Sequence, residues 1–250
     1  VSQPRIVLIT GSSRGIGAEV ARRLAGPDVH VIVHCREKER RAATIAEAVI
    51  NAGGRASTAC ADLTDTQAVA TMVADLGTRF GRLDTLILNA SGGLERGADP
   101  GYAMRINRDA QIRLVRSALP LMRPGARIVF VTSHQAHFHG RLPVPDDYLP
   151  VARSKRAGED ELRALEPEFA TRGVGLTIVS GDMVDGTMIV RLLQRRDPEA
   201  VASRRAAGQL PTLEEFAAAV VAAAGPTSPA GRTVYVGGTD HVRAAHSHAR

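Results

Sequence analysis

The sequence predicts an α/β fold: a doubly wound, seven-stranded parallel sheet with helices on both faces. Three observations carry the prediction. β-Branched apolar runs alternate with helix-like stretches along the chain, a glycine-rich turn follows the first run, and no linker, repeat or low-complexity tract interrupts the alternation. The 250 residues, 44% hydrophobic and 23% charged, suffice to bury a full core, so 1–250 reads as one domain.

In chain order, Ile6-Val7-Leu8-Ile9 sets a strand at 5–10 and the glycine turn leads into a helix at 15–25. Val29 to His34 gives the second strand, with a charged-start helix at 37–52; the third strand is 56–61, with a helix at 66–80. The fourth strand, 85–89, precedes a helix at 102–119, where Leu114, Ala118 and Leu121 share a face. The fifth, 127–133, precedes a helix at 151–171, and the sixth is 176–180. A helix at 212–224 opens on Thr212 as cap with Glu215 three residues on, and the last strand is 233–236. The segment 182–211 reads as a long charged connection, the place for a mobile lid. The tail 241–250 reads as a frayed end or an oligomer contact.

Composition narrows the function. Two cysteines, Cys35 and Cys60, make no disulfide framework and read as small buried apolar residues in a reducing compartment. No signal-peptide layout opens the sequence and no apolar run approaches the ~18 residues of a membrane span, so a soluble cytoplasmic protein is expected, with no membrane partner. The net charge of +6 does not point to nucleic acid. Acidic residues interleave with the basic ones, as in Glu37-Lys38-Glu39-Arg40-Arg41, and only 3% of residues are aromatic. Arginine supplies nearly all the positive charge; the only lysines are Lys38, in a charged helix start, and Lys155. So strong a preference for arginine makes Lys155 read as a place that needs a compact ammonium.

Thr10-Gly11-Ser12-Ser13-Arg14-Gly15-Ile16-Gly17 is a strand, a glycine turn and a helix start. A helix N-terminus presents unpaired N–H groups and partial positive charge, which suits a pyrophosphate. The spacing G-x-x-x-G-x-G points to one branch of the Rossmann-type folds. At the end of the second strand no acid stands ready for a ribose 2′-hydroxyl; Arg36, with Arg14, could instead grip a 2′-phosphate. Asp62-Leu63 would meet an adenine, and Asn89-Ala90 ends the fourth strand with small residues against the cofactor.

These residues resemble the short-chain dehydrogenase/reductase family over almost the whole chain, most closely its 3-oxoacyl-carrier-protein reductase-like members. The glycine motif, Asp62, Asn89-Ala90, Asn107, Ser133 after Arg127-Ile128-Val129-Phe130-Val131, Lys155 in Ser154-Lys155-Arg156-Ala157, and the end Gly231 to Gly238 all match. The resemblance implies hydride exchange between NADP(H) and a carbonyl or alcohol, on a small-molecule or carrier-bound, possibly 3-oxoacyl, substrate. Gly11, Ser13, Arg14, Gly15, Ile16, Gly17, Arg36, Asp62, Leu63, Asn89, Ala90, Lys155 and Thr187 would hold the cofactor. Ser133 would orient the carbonyl, Asn107 anchor a water, and Lys155 hold the ribose and lower the pKa of a tyrosine proton donor. It also implies a homo-oligomer, a tetramer or dimer, through the 102–119 and 151–171 helices.

The family places that tyrosine four residues before the lysine, one helical turn away. Here that position is Val151, which has no proton to give. Tyr148 lies seven residues before Lys155 with Pro150 between; a continuous helix separates such positions by about 10 Å, against about 6 Å for the usual pair. Two alignments stay open: Val151 holds the tyrosine's place, or extra residues separate Tyr148 from Lys155, with a fold-back at Leu149-Pro150 bringing the phenol to Ser133. A tyrosine at 151 is expected to raise turnover. Ser180-Gly181 stands where the family has Pro-Gly, and the 93–107 link is short, leaving the cleft open on that side. His134, His137 and His139 read as surface or cleft-lining side chains, one of them a substitute acid, rather than a metal site. The rival to an enzyme is a cofactor-binding sensor or assembly protein without efficient chemistry. Val151 favours the rival; Ser133, Asn107 and Lys155 favour the enzyme.

Overall fold

A computed structural model describes residues 3–94, 97, 99 and 101–247. Seven strands, β1 (Arg5–Ile9), β2 (Val29–Cys35), β3 (Arg55–Cys60), β4 (Thr85–Leu88), β5 (Arg127–Ser133), β6 (Gly175–Gly181) and β7 (Arg232–Val236), form one sheet in the order β3-β2-β1-β4-β5-β6-β7, and every pair is parallel. The order reverses between β1 and β4, which opens a crevice at the carboxyl ends of those strands. This is the Rossmann-type fold predicted.

Side-chain alternation divides the core into two layers. Leu8, Ile32, Leu86, Ile128 and Ile178 face α3 (Thr66–Phe80) and the helices near 102–121. Val7, Val31, Ile87, Val129 and Val179 face α1 (Gly15–Arg23), α2 (Glu39–Asn51) and the helix at Leu213–Ala223. Local signals set the ends. Asp65 caps α3 by accepting from the Gln67 and Ala68 N–H groups, and Gly81 ends it at φ 66°. The 213–223 helix carries the capping box expected from Thr212 and Glu215.

Several expectations change. The helix read at 102–119 is α4 (Tyr102–Met104), a π-helical segment Arg105–Asp109 and α5 (Ala110–Ala118). A short helix, α6 (His134–His137), follows β5, and a 3-10 turn Asp146–Tyr148 leads straight into α7 (Leu149–Ala164); α8 (Glu166–Thr171) continues after a break at Leu165. Pro150 is accommodated because the first helical turn needs no donor there.

The segment 182–211 is not an unstructured connection. It folds as α9 (Met188–Arg196) and α10 (Pro198–Ala207), ahead of α11 (Leu213–Ala223). Its Arg204 is buried. The guanidinium is 7% exposed and pairs with Asp182 at 2.7 Å and with Asp240 at 2.6 Å. Asp240 lies in the tail, which forms α12 (Thr239–Ser247) through 247 rather than fraying, and the arginine hydrogen bonds hold its carboxyl down to about 2. The shortened 93–107 link lies partly outside the described residues. Cys35 is buried as expected, but Cys60, on the edge strand β3, is exposed.

Gly181, the second residue of the Ser-Gly pair, ends β6 with the Phe216 ring of α11 against it, where a Cβ would run into that ring. Gly181→Ala is therefore expected to destabilise the fold by about 1–3 kcal/mol. Thermal unfolding of the variant beside the parent reads this; an unchanged midpoint would mean that α11 can withdraw freely.

Candidate active site

The crevice is a cleft of about 310 Å³ lined by Gly11, Ser13, Arg14, Arg36, Asp62, Leu63 and Ala90, with Ser91, Lys38, Arg41 and Tyr102. Its floor is the turn between β1 and α1. Gly11 sits at φ 64°, and a Cβ on Gly17 would lie 2.8 Å from the Ser12 Cα, so glycine is what lets α1 start against the loop. α1 opens at Arg14 without a side-chain cap and without an acid in its first turn, leaving its N–H groups to the cleft. Ile16, half-buried, packs beneath against the core, and Gly15 has open space around its Cα at φ 56°.

Two polar side chains fix the floor. The Thr10 hydroxyl donates to the Ile87 carbonyl at 3.2 Å and accepts from the Asn89 and Ala90 N–H groups, both at 2.9 Å. The Asn89 amide donates back to the Thr10 and Gly11 carbonyls. His34, buried at the end of β2, accepts the Gly11 N–H on Nδ1 at 3.1 Å and donates from Nε2 to the Ala61 carbonyl at 3.1 Å. Those bonds require the neutral ring, and burial pushes its pKa down to about 4.

Just past β2, Arg36 donates to the Tyr102 hydroxyl at 3.1 Å and pairs with Glu37 at 3.3 Å. Lys38 and Arg41 extend the basic rim; sequence reasoning passed over both, and only the start of α2 beside the cleft brings them there. Tyr102 was missed too, since its partner Arg36 is 66 positions away. Asp62 lines the cleft while its Oδ1 accepts from the Thr64 backbone and hydroxyl. Arg14 leans on the Met188 sulfur of α9 at 3.4 Å. Thr187 caps α9 through the Val190 N–H and donates to the Val184 carbonyl at 2.8 Å.

At the carboxyl end of β5, the strand beyond β4, Ser133 Oγ lies 3.1 Å from the Tyr148 hydroxyl. No fold-back is needed: Tyr148 ends the 3-10 turn just before α7, and its side chain reaches β5 directly. Tyr148 is buried with Ala136, Val151 and Ala152, and burial raises its pKa, the Ser133 hydrogen bond opposing. Lys155, two helical turns on, is buried; its Nζ donates to the Val131 carbonyl at 3.2 Å, and desolvation lowers its pKa to about 8. Asn107 lies in the π segment. Its amide donates to the Gly92 carbonyl and to Ser154 Oγ, both at 2.9 Å, and accepts the Gly92 N–H at 3.2 Å, tying the β4 end to α7.

The histidines do not line the cleft as free acids. His134 is buried, with Nδ1 at 2.8 Å from Ser180 Oγ and Nε2 at 3.0 Å from the Gly237 carbonyl. His137 joins the buried Glu159 at 2.8 Å and the Tyr235 hydroxyl at 3.1 Å. His139 forms a β-bridge with Leu142.

A parallel sheet with a phosphate-type glycine turn at its switch point and a serine–tyrosine pair facing it defines a dinucleotide-dependent oxidoreductase scaffold. The chain belongs to the short-chain dehydrogenase family, whose sequence profile matches residues 5–197. It is 32% identical, over 95% of its length and 94% of the relative's, to the short-chain reductase protein NovJ of Streptomyces niveus. Among solved structures it resembles the angucycline C-6 ketoreductase LanV with bound NADP, at TM-score 0.79 and 27% identity over 94% of this chain and 95% of that one. A short-chain dehydrogenase of Burkholderia cenocepacia in complex with NADP superposes at TM-score 0.80 and 28% identity, over 94% of this chain and 96% of the other.

His34 gives the cleft a pH signature. Between its folded value of about 4 and the ordinary 6.5, the unfolded chain binds the extra proton, so stability rises with pH across that window and is lost on acidification. Urea midpoints taken at intervals from pH 6.5 to 4 are expected to fall less steeply in His34→Phe than in the parent, even though the variant starts lower. Parallel slopes would show that His34 does not titrate against the fold.

Proposed function

We propose that this chain is an NADP(H)-dependent oxidoreductase that reduces a carbonyl, or oxidises the alcohol, with Tyr148 as proton donor and acceptor. The observation that carries the reading is the 3.1 Å Ser133–Tyr148 contact at the mouth of β5. It puts an acid and an orienting hydroxyl within reach of one substrate oxygen. The cleft suits the dinucleotide: α1 leaves its N–H groups unpaired, glycine admits close backbone approach, and Arg14, Arg36, Lys38 and Arg41 supply positive charge. NADP bound to LanV and to the Burkholderia protein supports the same cofactor here.

When bound, NADP(H) supplies or accepts the hydride. The chain's own residues hold it: Gly11, Ser13, Gly15, Ile16 and Gly17 cradle the pyrophosphate, Arg14 and Arg36 take the 2′-phosphate, and Asp62 and Leu63 bound the adenine. Asn89 and Ala90 form the floor, Lys155 holds the ribose, and Thr187 stands at the nicotinamide side. Ser133 orients the substrate oxygen, and Asn107 stiffens the wall that carries Tyr148. Burial keeps the phenol protonated through neutrality, so the site favours giving a proton over taking one. Leu94, Val144 and Val151 beside Tyr148 suit an apolar substrate such as a 3-oxoacyl chain, small or carrier-bound. α5, α7, α11 and β7 offer the faces for a tetramer or dimer. The rival reading, a cofactor-binding sensor or assembly protein, rests on Val151 alone.

Tyr148→Phe is expected to lower ketone reduction at least about 100-fold with NADPH affinity unchanged, and the parent's reduction rate should show no phenol ionisation below pH 10. Equal activity in the variant would assign the acid elsewhere; inactivity of the parent with tight cofactor binding would favour the rival. Val151 is 2% exposed, so a tyrosine at 151 overpacks that cluster and is now expected to cost stability rather than raise turnover.

Cofactor choice has its own test. Arg36→Asp should weaken NADPH binding about tenfold or more, leaving NADH binding unchanged. Titrations of cofactor fluorescence read both, and equal losses for the two cofactors would remove Arg36 from the 2′-phosphate.

A further inference from the structure

We infer that Cys35 and Cys60 close a reversible disulfide under oxidising conditions, and that this disulfide loosens the adenosine end of the cleft. The second half rests on the NADP(H) reading above; the first does not.

These are the only two cysteines of the chain, and the fold sets them directly opposite one another, Cys35↔Cys60, in the parallel β2–β3 register. Adjacent strands lie about 4.8 Å apart, within the Cα separations of about 4.4–6.8 Å that a disulfide spans. Paired residues also point to the same face of the sheet. On that face Cys35 packs with Val31 and Val33 into the core under α2, while Cys60 lies exposed on the edge strand. The Cys60 thiol turns inward over β2 and donates to the Arg36 carbonyl at 3.1 Å. Burial first, and then the neighbouring Cys60 thiol, push the Cys35 thiol up to about 12.

The asymmetry gives each sulfur a part. Cys60 is the exposed sulfur, the one a peroxide reaches first, and Cys35 is buried beside it. Attack of the Cys60 sulfur on a peroxide oxygen gives a sulfenic acid and one water; the Cys35 sulfur then displaces the hydroxyl as the second water, its proton leaving with it. Two thiols lose two electrons and two protons, and one hydrogen peroxide becomes two waters.

The consequence follows from the chain path. Arg36 is the next residue after Cys35, and Arg36, Glu37 and Lys38 form the cleft rim. Closing the bond takes the Cys60 thiol from the Arg36 carbonyl, removing one of the contacts that hold this rim to β3, and draws the strand ends together beneath it.

The experiment uses the full chain, reduced and then exposed to hydrogen peroxide. Free thiols counted in denaturant should fall from two to none. The intact mass should drop by two hydrogens, the chain should stay monomeric on a non-reducing gel, and one cross-linked peptide pair should appear. The NADPH dissociation constant should rise at least threefold and return with dithiothreitol. Cys60→Ser, a change at an exposed site, should keep the reduced parent's affinity and ignore the oxidant. A sulfinic acid on Cys60 with Cys35 still free, or a chain-to-chain disulfide, overturns the pairing. A complete disulfide with unchanged NADPH affinity overturns the coupling. Failure of Arg36→Asp to separate NADPH from NADH counts against the cofactor reading instead, and the thiol count still decides the pairing.

Discussion

The cleft depends on how the Thr10 hydroxyl is saturated. Where the strand order reverses, the chain leaves the paired ends of β1 and β4, and the backbone N–H and C=O groups just beyond them need other partners. One hydroxyl meets the need by donating once, to Ile87, and accepting twice, from Asn89 and Ala90. The Asn89 amide closes the same knot from the other side through the Thr10 and Gly11 carbonyls. With β4 locked to β1, the glycine turn is held from below and His34 holds it from the β2 side. The helix N-terminus is therefore rigid before any ligand arrives, and a rigid cradle avoids an ordering cost at binding.

The carboxyl end of β5 is organised by a different constraint, the start of α7. Pro150 sits in its first turn, and Tyr148 stands immediately ahead of the helix with φ −98° and ψ −11°. From there the phenol reaches Ser133 because the 3-10 turn delivers the chain alongside β5, not because the backbone reverses. Lys155 remains deep on the same helix, while Asn107 and Ser154 pin that helix to the β4 end. Ser133 and Tyr148 meet, and the tyrosine stands just outside the helix that carries the lysine.

Much of this was legible because it is local. The glycine turn, Asn89-Ala90 and Ser133 are fixed by their positions at strand ends, Lys155 by its place in the Ser-Lys-Arg-Ala run of α7, and the capping box at Thr212 by residues three apart. What escaped depends on tertiary meetings. Tyr102 and Arg36, Arg204 and Asp240, and His134 between Ser180 and Gly237 are distant in sequence. Their charges or rings gave no sign of a partner, so His134 read as a surface or cleft-lining side chain. The π segment was also invisible, because its residues carry an ordinary helical pattern. Cys60 was misread because apolar character in a strand does not tell an edge from a centre.

Val151 packs beside Tyr148 in a small buried cluster, and the two side chains share one environment. With tyrosine one turn from lysine, a buried ammonium acts on the phenol and eases loss of its proton. Here two turns intervene, and what shifts Tyr148 is burial first, against the Ser133 hydrogen bond. The lysine is shifted by desolvation as well, down to about 8. The two groups thus move toward their neutral forms instead of stabilising each other's charge. A neutral phenol remains a hydrogen-bond donor to a developing alkoxide, whereas accepting an alcohol's proton requires a phenolate that this burial disfavours. Burial in a cluster shared with Ala136, Val151 and Ala152 thus keeps the Tyr148 hydroxyl a hydrogen-bond donor.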